Sequence, residues 1–285
     1  MIAVRLEGRL GNQLFQYAFA YTAARKLNTS FYIDKSIENF LLPEYFEVKS
    51  DFLTPLDRNI FSIPGYKNIF KIHAKRAFYN TLSSILFQKN KIIIDNETPV
   101  NTNLQKVKNN AIYNGYFFSQ SYFEDFKDEI RRLFKIKNKY IVDFQKLNGH
   151  LSVSKRKAVI HVRRTDFVGL NISLPVSYYK KAIELVDAAD IEFIFISDDP
   201  LFIEQQFGYI PNKYVSTNDE IIDLQFLINA DICILSNSSF SWWGAWLNNK
   251  ENKQIFAPKY WLGFRENEEI PLGVAEKINF NWIEV

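Results

Sequence analysis

The second half of the chain alternates short apolar runs with longer mixed stretches. Residues 158–163, 191–196, 214–215, 232–235 and 254–257 are runs dominated by apolar side chains, bounded by polar residues. Such runs mark strands covered on both faces, as in parallel sheets, because half-exposed strands alternate instead. Between them, 177–187, 219–229 and 239–247 have helical length, and Ser197-Asp198-Asp199-Pro200 has a cap followed by proline, the form of another helix start. Repeated strand–helix units predict a parallel sheet with ligands at the C-terminal ends of its strands. Arg163, Asp198 and the residues after Leu235 are therefore expected on one edge.

The first half opens the same way. Residues 2–6 predict a strand, and Leu14, Tyr17, Ala18, Tyr21 and Ala24 recur at helical spacing over 13–27. Gly8 and Gly11 lie in the turn between them, with Asn12 and Gln13 placed to cap the helix or to meet a ligand. Strands are expected at 31–34 and 111–117, and a helix over 66–87. Ser121 and Glu124 have capping-box spacing ahead of an apolar stripe of Phe126, Ile130 and Leu133. From 135 to 156 the chain is polar and lysine-rich, with room for a short helix. A domain boundary is expected there, dividing 1–145 from 146–285.

Composition narrows the class. The 285 residues are 47% hydrophobic and 24% charged, ordinary for a globular protein. A net charge of +3 allows a small anionic ligand and gives no reason to expect nucleic acid. The single cysteine, Cys233, lies in an apolar run and reads as a buried thiol. No leader pattern or membrane-length apolar run is evident, so a cytoplasmic protein is expected, with peripheral contact to a membrane-borne acceptor left open. Arg58 to Ile94 holds seven lysines and arginines and no acidic residue, which favours a solvated basic face over a membrane contact.

The chemistry concentrates in two places. Arg163 and Arg164 end an apolar run, and arginine's planar, permanently charged fork suits paired phosphate oxygens. Ser236-Asn237-Ser238-Ser239 opens a helix, where free amides and hydroxyls favour an anion. Each has a plainer reading, an ion-paired strand end in one case and ordinary capping in the other. Together they outline a pyrophosphate pocket. Asp198-Asp199 could hold Mg²⁺, but adjacent carboxylates before a helix-starting proline have a structural reason to exist. Histidines at 73, 150 and 161 have no zinc spacing, and no metal is expected.

GRLGNQLFQYAFA at 8–20, HVRRTDFVG at 161–169, SDDP at 197–200 and LSNSSFSWWGAWL at 235–247 together resemble the bacterial α-1,2-fucosyltransferases. The likeness spans nearly the whole chain in four ordered motifs. It implies an α/β protein of the GT-B class, with two facing Rossmann-like domains with parallel sheets: 1–145 on the acceptor side and 146–285 binding GDP-fucose. It further implies inverting, metal-free and cofactor-free transfer of L-fucose from GDP-β-L-fucose to O2 of a galactose-terminated glycan. By resemblance to the related α-1,6 enzymes, His161 and Asp223 bond guanine and Arg163 holds the β-phosphate. Arg164, Asp198, Asn237, Ser238 and Ser239 are the other donor-site candidates. The GRxGNQ turn of the protein O-fucosyltransferases implies that Gly11, Asn12 and Gln13 line the sugar cleft, with Asn12 at fucose or the acceptor hydroxyl.

One departure concerns the base. By offset, the lysine and glutamate of the α-1,6 enzymes correspond to Phe167 and Asn171, and neither can take a proton. Asp166 is the nearest carboxylate and the remaining candidate. A different linkage, a different GDP-sugar, or a silent nucleotide- or sugar-binding module are the competing readings. A purely sugar-binding module has no use for a diphosphate pocket.

Overall fold

Two parallel sheets organise the chain, one in each of two units, Met1–Lys135 and Ile136–Val285. The computed structural model describes residues 1–48, 69–88, 90–149, 151, 155–186, 190–211 and 213–285. Positions 66–68 and 187, expected at helix ends, and His150, Arg58, Lys67 and Lys89 lie outside the described residues.

Unit 1 runs β1 (Ile2–Arg5), α1 (Leu10–Lys26), β2 (Phe31–Asp34), α2 (Leu42–Tyr45), α3 (Ile69–Phe87), β3 (Lys91–Ile94), α4 (Val100–Gln105), β4 (Ala111–Gly115) and α5 (Lys127–Leu133). Its sheet order is β2-β1-β4-β3, every pair parallel. Ile2, Ala3 and Val4 of the central β1 are wholly buried, which is why the run lacks alternation. Aromatic side chains fill the core: Phe19 stacks on Phe117 at 3.9 Å and meets Tyr113 and Tyr122 edge-on. Ser121 and Glu124, expected as a capping box, do not open the helix. Ser119 caps a 3₁₀ turn by accepting from the Ser121 amide, a second 3₁₀ turn follows, and α5 begins only at Lys127.

Unit 2 runs α6 (Asn138–Asn148), β5 (Arg156–Val162), α7 (Thr165–Gly169), α8 (Val176–Glu184), β6 (Ile191–Ser197), α9 (Pro200–Phe207), β7 (Tyr214–Ser216), α10 (Glu220–Ile228), β8 (Ile232–Ile234), α11 (Ser239–Leu247), β9 (Gln254–Pro258) and β10 (Asn281–Ile283). The sheet order is β10-β9-β8-β5-β6-β7, again all parallel. One face is covered through Ala158, Ile160 and Val162 of β5, which share a core with Tyr178, Tyr179 and Ala182 of α8. On α11, Trp242 and Trp243 are wholly buried, so these rings are packing and not sugar platforms. Gly244 permits that packing, because a Cβ there would come within 2.5 Å of the Leu227 Cβ on α10.

The division at 135/136 precedes the expected 145/146 boundary, and α6 is the reason. Phe144 meets Phe226 edge-on at 5.0 Å, and the Gln225 side-chain amide donates to the Tyr140 carbonyl at 3.0 Å. The first residues of the polar stretch thus belong to the second unit.

Candidate active site

The topology of unit 2 picks out one position on its C-terminal edge. From β5 the chain crosses to β6 and β7 on one side, then returns through α10 to β8 on the other. The loops after β5 and β8 diverge there, the crevice in which open parallel sheets bind ligands. Register pairs Ile160 with Phe195 on one side and with Ile234 on the other, so the ends of all three strands meet.

Arg163 sits at this point between two carboxylates. Its Nη1 lies 3.1 Å from Asp198 Oδ2 and its Nη2 donates to Asp166 Oδ2 at 2.8 Å. Asp198 also accepts from the Arg164 backbone amide at 2.8 Å and from the Thr165 hydroxyl. Burial alone would raise its pKa, but the Thr165 hydroxyl, the Arg164 amide and Arg163 outweigh burial and hold it below the usual carboxylate value. The Arg163 guanidinium carbon is 5.6 Å from the centre of the Phe167 ring.

Beside this cluster, His161 is buried, with Nδ1 2.7 Å from Ser236 Oγ and its ring 5.4 Å from that of Phe240. Burial, and then the Arg163 charge, push its pKa down to about 3, so the ring is neutral at physiological pH. Of the donor-site candidates, His161, Arg163 and Asp198 therefore come together around the ends of β5, β6 and β8, with the candidate base Asp166 beside them.

Others do not. Arg164 turns away from Arg163: its guanidinium lies 3.8 Å from the Phe202 ring centre, and Nη1 donates to Ser173 Oγ at 3.2 Å. It packs as a structural cation, since neighbouring residues after a strand face opposite ways. Asn237 is buried and donates to the Ile172 carbonyl at 2.8 Å, tying the loop after α7 to the start of α11. Ser238 caps α11 by accepting from the Phe240 amide at 3.3 Å. Ser239 follows it as the first helical residue and is partly exposed. Asp199 is likewise a cap, accepting from the Phe202 amide at 3.1 Å. Among the described residues no three His, Cys, Asp or Glu side chains gather as metal ligands. Burial pushes the Cys233 thiol up to about 12, leaving it inert.

Asp223 forms a second cluster on the same edge, in the first turn of α10. It accepts from the Ser216 hydroxyl at the end of β7, and the Asn218 amide donates to both Ser216 Oγ (2.7 Å) and Tyr214 Oη (2.9 Å). Burial raises the Asp223 pKa to about 7, against the Ser216 bond and with help from Asp219. Ser216 and Thr165 escaped the sequence reading, and Ser236 was expected only among the hydroxyls before α11, not as the partner of His161. Thr165 and Ser236 lie inside the quoted motifs, whereas Ser216 has no local signal beyond ending a strand.

In unit 1 the strand-to-helix turn also lies at a switch point, between β1 and β4. Here α1 begins at Leu10 with Arg9 at the cap position, so Asn12 is inside the first turn and is not the cap. Gly8 has φ +81° and carries the Asn12 side chain, whose Nδ2 lies 2.2 Å from where a Cβ would be. Gln13 is buried and structural: Nε2 donates to the Asn39 carbonyl at 2.8 Å and Oε1 accepts from the Leu41 amide at 2.9 Å. Gly11 is buried within α1. Of the three cleft candidates only Asn12 keeps partial exposure.

Residues 1–269 match the family model "Glycosyl transferase family 11". The chain belongs to glycosyl transferase family 11. It is 30% identical to the O-antigen biosynthesis glycosyltransferase WbnK of Escherichia coli, covering 96% of this chain and 98% of that protein. It is 27% identical to an α-1,2-colitosyltransferase of Escherichia coli, covering 95% and 94%. Among solved structures, the NodZ α-1,6-fucosyltransferase co-crystallised with GDP superposes with a TM-score of 0.54 at 16% identity, covering 86% of this chain and 91% of that one. NodZ from Bradyrhizobium gives 0.53 over 85% and 91%, also at 16% identity. The fold class is thus that of the GT-B fucosyltransferases, parallel α/β in both units. No helix among the described residues is long and apolar enough to cross a membrane.

Proposed function

We propose that this family 11 enzyme is an inverting fucosyltransferase, moving L-fucose from GDP-β-L-fucose to O2 of a terminal galactose without a metal. The observation that carries the reading is Arg163, held at the switch point of unit 2 with one edge braced by Asp198. As the bond between C1 and the β-phosphate oxygen breaks, charge grows on the phosphate, and a guanidinium there stabilises the transition state more than the ground state. Asp223, one end of a hydrogen-bonded cluster two strands away, accepts from the N1 and N2 donors of guanine. Strand spacing places β7 about 10 Å from β5, a separation suited to the two ends of a nucleotide. His161 supports the base from beside Arg163. On unit 1, Asn12 offers an amide to the sugar or the acceptor hydroxyl. The new bond forms from that hydroxyl oxygen to C1, and its proton passes to water or to Asp166, the only candidate base in the motif.

The α-1,2 linkage draws support from the name of the colitosyltransferase relative, and the donor from the GDP and GDP-fucose complexes of NodZ. The same relative favours one alternative, a colitosyl donor in place of fucosyl. Incubation with GDP-fucose and lactose, with and without EDTA, tests the reading through GDP release and trisaccharide formation. Faster transfer from a GDP-linked colitosyl donor would replace fucose. Activity lost in EDTA and restored by Mg²⁺ or Mn²⁺ would overturn metal independence.

A further inference from the structure

The two carboxylates on Arg163 are not equivalent. Asp198 is 17% exposed and is held by the Arg164 amide and the Thr165 hydroxyl as well as by Arg163. Asp166 is 45% exposed, stands on the five-residue α7, and its one side-chain partner among the described residues is Arg163 Nη2. One bond belongs to a network; the other can open with Asp166 passing to solvent while Arg163 stays held by Asp198.

We infer that Asp166 is an internal anion occupying the phosphate position on Arg163, competing with the donor diphosphate and recapturing the guanidinium as GDP departs, while Asp198 is the residue that positions Arg163. The inference rests on the assignment of Arg163 to the β-phosphate. A guanidinium presents donors along a planar edge, and Nη2 is occupied by a carboxylate oxygen in the way a phosphate oxygen would occupy it. A pair whose carboxylate is nearly half exposed is weakened by solvent, so a more highly charged anion displaces it and a departing one is readily replaced. Asp166 thereby loosens the grip on the product, which carries the same phosphates as the donor.

The test is calorimetry of GDP and GMP binding to the full chain and to Asp166→Asn, with Arg163→Ala as control and melting temperature checking each fold. Asp166→Asn is expected to tighten GDP by about two- to five-fold, the size of the exposed pair it removes. GMP, lacking the β-phosphate, is expected to bind both proteins alike. Equal or weaker GDP binding by Asp166→Asn would overturn the inference. So would an equal gain for GMP, because that would be the general effect of removing a negative charge. GDP binding unchanged in Arg163→Ala would instead remove Arg163 from the phosphate, and the inference would fall with that assignment. Asp198→Asn, if it melts normally, is expected to weaken GDP, the opposite sign to Asp166→Asn; tighter binding would deny Asp198 its positioning role.

Discussion

Each unit carries, at the end of its first strand or one residue beyond it, an arginine that pairs with an aspartate at the same place on the neighbouring strand, and the two pairs differ in what they leave available. In unit 1, Arg5 directs Nε and Nη2 to the same oxygen of Asp34 at 3.1 Å, and Nη2 also reaches Asn80 Oδ1 at 3.3 Å. Asp34 is wholly buried and also accepts from the Ser36 amide at 2.8 Å. In unit 2, Arg163 divides its edge between the braced Asp198 and the exposed Asp166. The same topology therefore carries a closed pair in one sheet and an openable one in the other. Fold places arginines at switch points; the exposure of the second carboxylate decides which of them can meet an anion.

Breaking the openable pair should have the largest effect. Arg163→Ala is expected to lower turnover about 10²- to 10³-fold, the scale for losing one donor to a developing charge. Arg163→Lys should recover little, since lysine brings charge without the fork. Near wild-type turnover in the lysine protein would refute the phosphate role. Breaking the closed pair should act on stability: Arg5→Ala strands the buried Asp34 and should cost about 3–5 kcal/mol by denaturant unfolding. Its GDP affinity, measured under conditions where it is folded, should match wild type, and a selective loss would make the contrast between the units wrong.

Asp223 sharpens the comparison through pH. Guanine's donors need the carboxylate, so GDP affinity should fall as pH drops below about 7, approaching tenfold per unit. Asp223→Asn should abolish that dependence and weaken GDP by about 1–3 kcal/mol at pH 8. Unchanged binding by calorimetry would exclude Asp223 from the site. For the free fold the sign is reversed. A carboxyl raised to about 7 contributes stability that is present below its unfolded value and lost as pH rises through 7. His161, lowered to about 3, contributes stability present above its unfolded 6.5 and lost as pH falls toward 3. The two slopes oppose each other between about pH 4 and 6. Asp223→Asn should uncover the histidine, giving a loss of up to about 1.4 kcal/mol per unit of acidification. A thermal-melt series across that range checks it.

The smallest effect is expected at Asn12. Alanine there should reduce turnover more than GDP affinity, and Asn12→Asp should partly preserve turnover by supplying a carboxylate near the acceptor. Because Asn12 is not the α1 cap, the loss from a missing cap does not apply. An early-melting Asn12→Ala with normal turnover at low temperature would leave the side chain a cover for Gly8 and nothing more.

Five of the six strands of unit 2 were legible, the central ones because both faces are buried, so their apolar runs are continuous and their polar ends conspicuous; the edge strand β10, with Asn281 and Trp282 exposed, was missed. β3 was missed for the opposite reason: among the described residues it is an edge strand, and Ile93 is 63% exposed, so Lys91-Ile92-Ile93-Ile94 is not covered on both sides like the strands of the sheet centre. The helix start at Leu10 was misplaced by three residues because Asn12 is a good cap in isolation. Gln13 instead bonds a loop 26 residues away, a contact no local pattern encodes.

By itself, the sequence determined the alternation of strands and helices, the two-unit composition, and the delivery of Arg163 and Asp198 to a shared sheet edge. These follow from short-range periodicity and from the direction of parallel strands. Tertiary structure decided the rest. Strand order set the switch point between β5 and β8, a long-range pairing with no local signal. Side-chain direction separated Arg163 from Arg164, adjacent in the chain and turned to different partners. Burial, a property of the assembled fold, raised Asp223, lowered His161, and left Asp166 as the carboxylate that water and a ligand can still reach.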